Sequence, residues 1–236
     1  MHNEILLIAT LLAVFGAILL SYVLFAEKGL IAWVILAAIT ANIEVLILIR
    51  AFSMEQTLGN IMFASTFLAT DIISELHGKK QAKQAVNIGI FISLCFLLIS
   101  QSWLQYRPSP DDQFYPFIQG VFTNTPRVLI SSLAVYAIVQ RFDVWLYHRL
   151  WQFTENSAGS TQPFLWLRNS STLISQLLNT ILFTFLAFWG TYSLPTLISI
   201  IISTYVIYIV ISLTDTPIVY LARFIAAKKR RPSPDP

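Results

Sequence analysis

What most constrains this chain is a succession of seven long apolar stretches, at about residues 5–25, 30–49, 61–77, 85–104, 117–139, 172–189 and 195–225. Each is bounded by polar or turn residues, and a bilayer's hydrocarbon core takes about 20 apolar residues per helical crossing. Composition agrees. The chain is 56% hydrophobic and only 11% charged, whereas a soluble domain carries about 25% charged residues. The expected fold class is therefore all-α, a polytopic membrane helical bundle of seven transmembrane helices. Its 236 residues leave no room for a sizeable extramembrane domain, which excludes a nucleotide-driven motor in this chain and a receptor with a large ectodomain. The first stretch is long for a cleaved signal peptide and lacks a basic leader, so it reads as a retained helix. The last exceeds one crossing and is expected to tilt or emerge from the bilayer, with Pro217 able to kink it.

The net charge of +3 suggests nucleic-acid binding only until the positions are read. With seven spans and the N-terminus outside, the inner segments hold Lys28, Lys79, Lys80, Lys83, Arg141, Arg149, Arg168 and the basic run from Arg223 to Arg231. Outside stand Arg50 and Arg107, with Arg127 placed within the fifth span. An excess of Lys and Arg marks cytoplasmic loops, so the expected orientation is N-terminus out, C-terminus in, in the cell membrane. The longest loop, about 140–171, is then cytoplasmic. Its first half alternates apolar and charged residues at helical spacing and could extend the fifth helix along the interface. Residues 155–163 read as a turn region, and 228–236 as a disordered cytoplasmic tail. The lone Cys95 lies in an apolar stretch, so neither a disulfide nor a thiolate metal site is implied.

Polar residues inside the spans are the candidate functional groups, because a charge in hydrocarbon needs a partner or a cavity. Asp71 and Glu75 in the third span are four apart and share one helical face, with Ser74 beside them. Counting from the outer end puts Asp71 near the midplane and Glu75 nearer the cytoplasm. Two carboxylates so placed either hold helices together or receive a cation, a proton or a donor-rich ligand, and the second reading is favoured. Arg127, following Thr125-Pro126, either pairs with Asp71 or is released when substrate binds. Asn42 and Glu44 in the second span lie on different faces. Thr172, Gln176, Asn179 and Thr180 form one polar stripe on the sixth span, serving as helix–helix contact or cavity lining. Asp215 lies towards the cytoplasmic end of the seventh, where capping or gating competes with binding.

The six tryptophans, Trp33, Trp103, Trp145, Trp151, Trp166 and Trp189, fall near the ends of these spans, where anchoring at the membrane interface is the favoured account. His2, His77 and His148 have no metal-ligand spacing, so no metal and no cofactor are implied. Phosphate-loop, nucleophile-elbow and dinucleotide motifs are lacking. The expectation is a protein that is not an enzyme, with no nucleic-acid partner.

Several of these residues together resemble a known family. Ala41-Asn42-Ile43-Glu44-Val45, Leu58-Gly59-Asn60, Phe67-Leu68-Ala69-Thr70-Asp71-Ile72 with Glu75 and Gly78-Lys79-Lys80, and Pro126-Arg127 occur in order. They are followed by Phe142-Asp143-Val144, Leu165-Trp166-Leu167-Arg168-Asn169, Ser171-Thr172-Leu173-Ile174-Ser175-Gln176 and Asp215-Thr216-Pro217. From about Gly29 to Ala222 the chain resembles the queuosine-precursor transporters, also called vitamin-uptake-transporter-like proteins. The resemblance implies a six-helix core over 29–227, with residues 1–28 as an additional N-terminal helix. It implies a secondary transporter that imports a 7-deazaguanine such as preQ0, preQ1 or queuine, with the lipid bilayer as its medium and a homo-oligomer left open.

A guanine-like edge offers adjacent N–H donors to a carboxylate and an oxygen acceptor to an amide or guanidinium. The expected substrate-binding residues are accordingly Asn42, Asp71, Glu75, Arg127, Gln176 and Asn179, with Asp143, Arg168 and Asp215 gating or structural. The family usually has Asp where this chain has Asn179, Lys where it has Tyr208, and Gln where it has Glu44. The first two changes suggest an ion pair neutralised jointly, since replacing both partners costs less than losing one. A competing reading is a substrate-binding membrane subunit, like the S-component of a vitamin importer, that depends on a separate energising module. A membrane-embedded enzyme or sensor would need a nucleophile or metal set that the sequence does not show.

Overall fold

The computed structural model describes residues 2–52, 54–123, 126–158, 165–190 and 192–230, with the backbone alone at 48, 54, 55, 126, 129, 153–158, 165–169, 229 and 230. Its helices are α1 (His2–Phe25), α2 (Glu27–Glu44), α3 (Gly59–His77), α4 (Lys79–Trp103), α5 (Tyr115–Thr123), α6 (Pro126–Ala158), α7 (Leu165–Phe188) and α8 (Leu194–Arg230). A short antiparallel hairpin, β1 (Leu48–Ala51) and β2 (Met54–Thr57), joins α2 to α3. Helices α1 and α4, residues 170–188 of α7 and residues 194–228 of α8 are long and apolar enough to cross a membrane.

Two ends of the bundle are fixed by side-chain contacts. At one, Asn3 donates to the Arg50 carbonyl at 2.9 Å and Glu4 accepts from the Phe52 N–H at 3.1 Å, tying the start of α1 to the hairpin. At the other, His77 approaches Glu27 at 3.6 Å, drawing the α1–α2 and α3–α4 turns together. Gly78 makes the second turn with φ +88°, a left-handed conformation that L side chains rarely adopt. Gly59 opens α3 against α2, where a Cβ would lie 2.8 Å from the Ala41 carbonyl oxygen. Only a residue without that carbon lets the two helices meet there.

Helix α3 is the axis of the bundle. Every residue from Gly59 to Ser74 except Phe63 is buried, and α2, α4, α6, α7, α8 and α1 all pack on it. The surrounding helices bury one face each. In α6 that face is Val135, Tyr136, Val139, Gln140, Asp143, Val144 and Tyr147, while Ile138 and Trp145 are exposed. In α7, Thr172, Gln176, Asn179 and Thr180 are buried and Ile174, Leu177 and Ile181 are exposed. Both helices expose apolar side chains, as a lipid solvent favours, and turn inward polar groups such as Gln140, Asp143, Gln176 and Asn179 beside buried apolar ones.

Several boundaries differ from the sequence reading. The second apolar stretch ends as a helix at Glu44, and residues Leu48–Thr57 form the hairpin. Within the fifth stretch α5 is described to Thr123 and α6 from Pro126, with residues 124 and 125 outside the described ones. Helix α6 then runs 33 residues, about 50 Å, so the segment expected to lie along the interface continues as helix, with Val144 and Tyr147 buried in the bundle. Of the turn expected at 155–163, residues 155–158 are helical and the rest lie outside the described residues. Helix α8 continues through Pro217 to Arg230, so 228–230 are helical where a disordered tail was expected, and 231–236 lie outside the described residues. Trp33, expected at the interface, instead donates to Ser65 at 3.0 Å inside the bundle.

Candidate functional site

Asp71 sits on the central helix with 2% of its surface exposed and accepts a hydrogen bond from Thr172 of α7 at 2.8 Å. Asp143 of α6, Asp215 of α8 and Glu75 one turn further along α3 all lie within Coulombic reach of it. The Ser171 and Ser175 hydroxyls of α7 stand beside Asp143. Yet neither carboxyl oxygen of Asp143 or of Asp215 has a hydrogen bond of good geometry among the described residues. A carboxyl group without a donor in an apolar interior is expensive to keep. Three helices, α3, α6 and α8, bring carboxyl groups to one point beside the hydroxyls of α7, which is thus equipped to receive a proton or a solute rich in N–H donors.

Glu75 differs from its neighbours. It accepts from the Tyr147 hydroxyl at 2.9 Å and lies 3.4 Å from the Arg223 guanidinium, so it is compensated by protein groups that join α3, α6 and α8. Towards the hairpin end the polar file continues. Gln176 accepts from Ser212 at 3.2 Å through its side-chain oxygen, while its amide nitrogen has no hydrogen bond among the described residues. Gln140 donates to the Thr66 hydroxyl. Beyond them Asn179, Thr180, Asn60 and Tyr208 line a cavity between α2, α3, α6, α7 and α8, in which Tyr208 donates to Asn60 at 3.3 Å.

The sequence-predicted residues thus divide. Asp71, Glu75, Asp143, Asp215 and Gln176 come together in one polar interior, and Asn179 lies at its hairpin-end extension. Asn42 does not join them: its amide donates to its own helix at Ala38 O, 2.8 Å away, and it faces a separate small crevice with Ser93 and Ser100. Arg127 is also elsewhere. It donates to the carbonyls of Leu186 at 2.9 Å and Trp189 at 2.7 Å, closing the C-terminal end of α7. Asp143 is sixteen residues further along α6, about 24 Å, so the pairing with Asp71, one of the two readings of Arg127, is not what the structure shows. The side chain of Arg168 lies outside the described residues. Asn60, Thr66, Gln140 and Ser212 were not anticipated as parts of the interior. Asn60 carried a signal, as a polar residue in the Leu58-Gly59-Asn60 motif.

A polar file enclosed by outward-facing apolar helices defines the class: a membrane protein built to admit a small polar solute. Residues 57–222 match the family described as "Putative vitamin uptake transporter". The chain is 33% identical over 220 residues to the "Probable queuosine precursor transporter" of Bacillus subtilis, an alignment covering 93% of this chain and 94% of that protein. It is 29% identical over 115 residues to the protein of the same description from Haemophilus influenzae, covering 48% and 47% of the two. No solved structure gives a significant match. This chain belongs to the vitamin-uptake, queuosine-precursor transporter family, and it is a multi-pass membrane protein.

Proposed function

We propose that the protein imports a queuosine precursor of the 7-deazaguanine class and engages the base's N–H edge at Asp71. The observation that carries this reading is the buried Asp71 carboxyl, held by Thr172 and reached through a polar file that includes the unpartnered amide nitrogen of Gln176. A carboxylate accepts two adjacent N–H donors in parallel, and an amide nitrogen donates to the ring oxygen beside them. Both relatives described above carry a queuosine-precursor description, which supplies the substrate class.

Orientation is part of the proposal. Lys28, Lys79, Lys80, Lys83 and Arg223 gather at the end opposite the hairpin, and a positive excess favours the cytoplasmic side. The hairpin end, with Arg50, then faces outward. A cysteine introduced at Lys79 should resist an impermeant thiol reagent added to intact cells, and ready labelling there would reverse the orientation.

The function is tested by uptake of labelled preQ0, preQ1 and queuine in cells lacking both their own carrier and the precursor pathway. Accumulation of at least one base that depends on this chain is expected. Equal counts with and without the chain, at confirmed membrane expression, would refute the substrate class.

A further inference from the structure

A cavity lies at the hairpin end of the polar file, about 70 Å³ in its enclosed part and open at a wider mouth. Its lining includes Asn60 and Tyr208 at one side, Asn179 at another, and the rings of Phe63, Phe183 and Phe188. Among the described residues, every one that lines it is uncharged. Asn60 is 6% exposed, and its side-chain oxygen accepts from both Thr57 at 3.1 Å and Tyr208 at 3.3 Å. Two donors on the oxygen fix which way the amide faces. Its Nδ2, buried and without a hydrogen bond among the described residues, is left as a donor at a cavity wall. A buried amide donor without an acceptor is uncommon in a folded protein and is satisfied when a ligand supplies the missing oxygen or ring nitrogen.

We infer that this cavity is a separate outer binding site for an uncharged flat heterocycle, held between phenylalanine rings and by a hydrogen bond from Asn60 Nδ2 to an acceptor on its rim. Asp71 lies eleven residues along α3 from Asn60, about 16 Å, too far for one base to touch both. The two sites are therefore occupied in series, the cavity first, with Gln176, Ser212, Thr66 and Gln140 between them. Uncharged walls suit a neutral ring, because an ammonium group would lose water there without gaining a counter-charge. Aromatic rings supply stacking area whatever the ring's substituents. The inference deepens the importer reading and rests on it for the ligand's identity.

The test is equilibrium binding of labelled preQ0, an uncharged 7-deazaguanine, to the purified full chain in detergent, compared with cellular uptake. Asn60→Ala should weaken binding about three- to tenfold, the effect of one lost hydrogen bond. Phe183→Leu should weaken it by a similar factor through lost stacking. Asp71→Asn should lower uptake and remove the inner site's share of the binding, leaving binding at the cavity detectable and still sensitive to the cavity substitutions. Should Asn60→Ala not fold, as judged by its elution profile, Phe183→Leu decides. Wild-type affinity in the folded cavity variants, alongside wild-type uptake, overturns the outer site alone. Binding abolished by Asp71→Asn overturns the separation of the two sites. Binding sensitive to the cavity variants but with no uptake in any cell overturns the importer reading and leaves the cavity standing.

Discussion

Replacing Asp71 by Asn separates recognition from folding, because the two side chains have nearly the same shape. The carboxyl accepts one hydrogen bond, from Thr172 at 2.8 Å, and an asparagine carbonyl oxygen can accept it equally well. Asp143, Asp215 and Glu75 lie within Coulombic reach, so removing one acid from this group relieves crowding rather than leaving a partner stranded. Abundance of the variant should stay close to wild type. Transport should not. The amide presents a donor where the base's N–H group needs an acceptor, and one charge-assisted hydrogen bond is worth about 1.5–3 kcal/mol. That corresponds to a roughly tenfold to hundredfold loss of apparent affinity.

The assay is concentration-dependent uptake of labelled 7-deazaguanine, normalised to protein in the membrane fraction. Thr172→Val serves as comparator: it keeps the carboxylate but frees it to move, and should lose less than Asp71→Asn. If Asp71 were only a partner of Arg127, removing both would restore a damaged protein. With Arg127 about 24 Å along α6 from Asp143, the residue of that helix beside Asp71, no such rescue is expected. Wild-type uptake by well-expressed Asp71→Asn would refute the role given to this carboxyl.

Two further substitutions probe the contacts that hold the site. Arg223→Ala removes one of the groups that compensate Glu75, which is 5% exposed at its side chain; membrane abundance should fall, and Glu75→Gln in the same chain should restore much of it. Failure of that rescue, measured by thermal unfolding in detergent, would mean the pair is not what holds α8 to α3. Arg127→Ala removes two donors from the Leu186 and Trp189 carbonyls; the thermal midpoint should drop while the half-saturating substrate concentration stays put, and a selective loss of affinity would return Arg127 to the substrate path.

The sequence made the central helix legible for a simple reason. Asp71 and Glu75 are four apart in an apolar setting, so their shared face could be placed without knowing any neighbour. The α7 stripe of Thr172, Gln176, Asn179 and Thr180 was legible on the same ground, and the structure buries all four. Asp143 was read as gating or structural because apolar residues thin out before it. Only the uninterrupted length of α6 shows that this stretch returns to the bundle beside Asp71. Arg127 was misplaced because its partners, the Leu186 and Trp189 carbonyls, come from the far end of α7, 59 and 62 positions away. The hairpin was hidden because residues 45–49 simply prolong the hydrophobic stretch of α2. Asn60 and Tyr208 meet across 148 positions, a pairing no local pattern can reveal. Periodicity reports which face of a helix is polar, and only packing reports what that face meets.

The most direct test of the account is uptake of labelled preQ0 by proteoliposomes whose only protein is this chain, with the lumen otherwise empty of carriers. The account predicts time-dependent, saturable accumulation that is lost with Asp71→Asn and competed by unlabelled base. Liposomes that bind the base but never accumulate it, while cells expressing the chain with its native membrane partners do, would contradict a self-sufficient transporter and point to a binding subunit that needs another module.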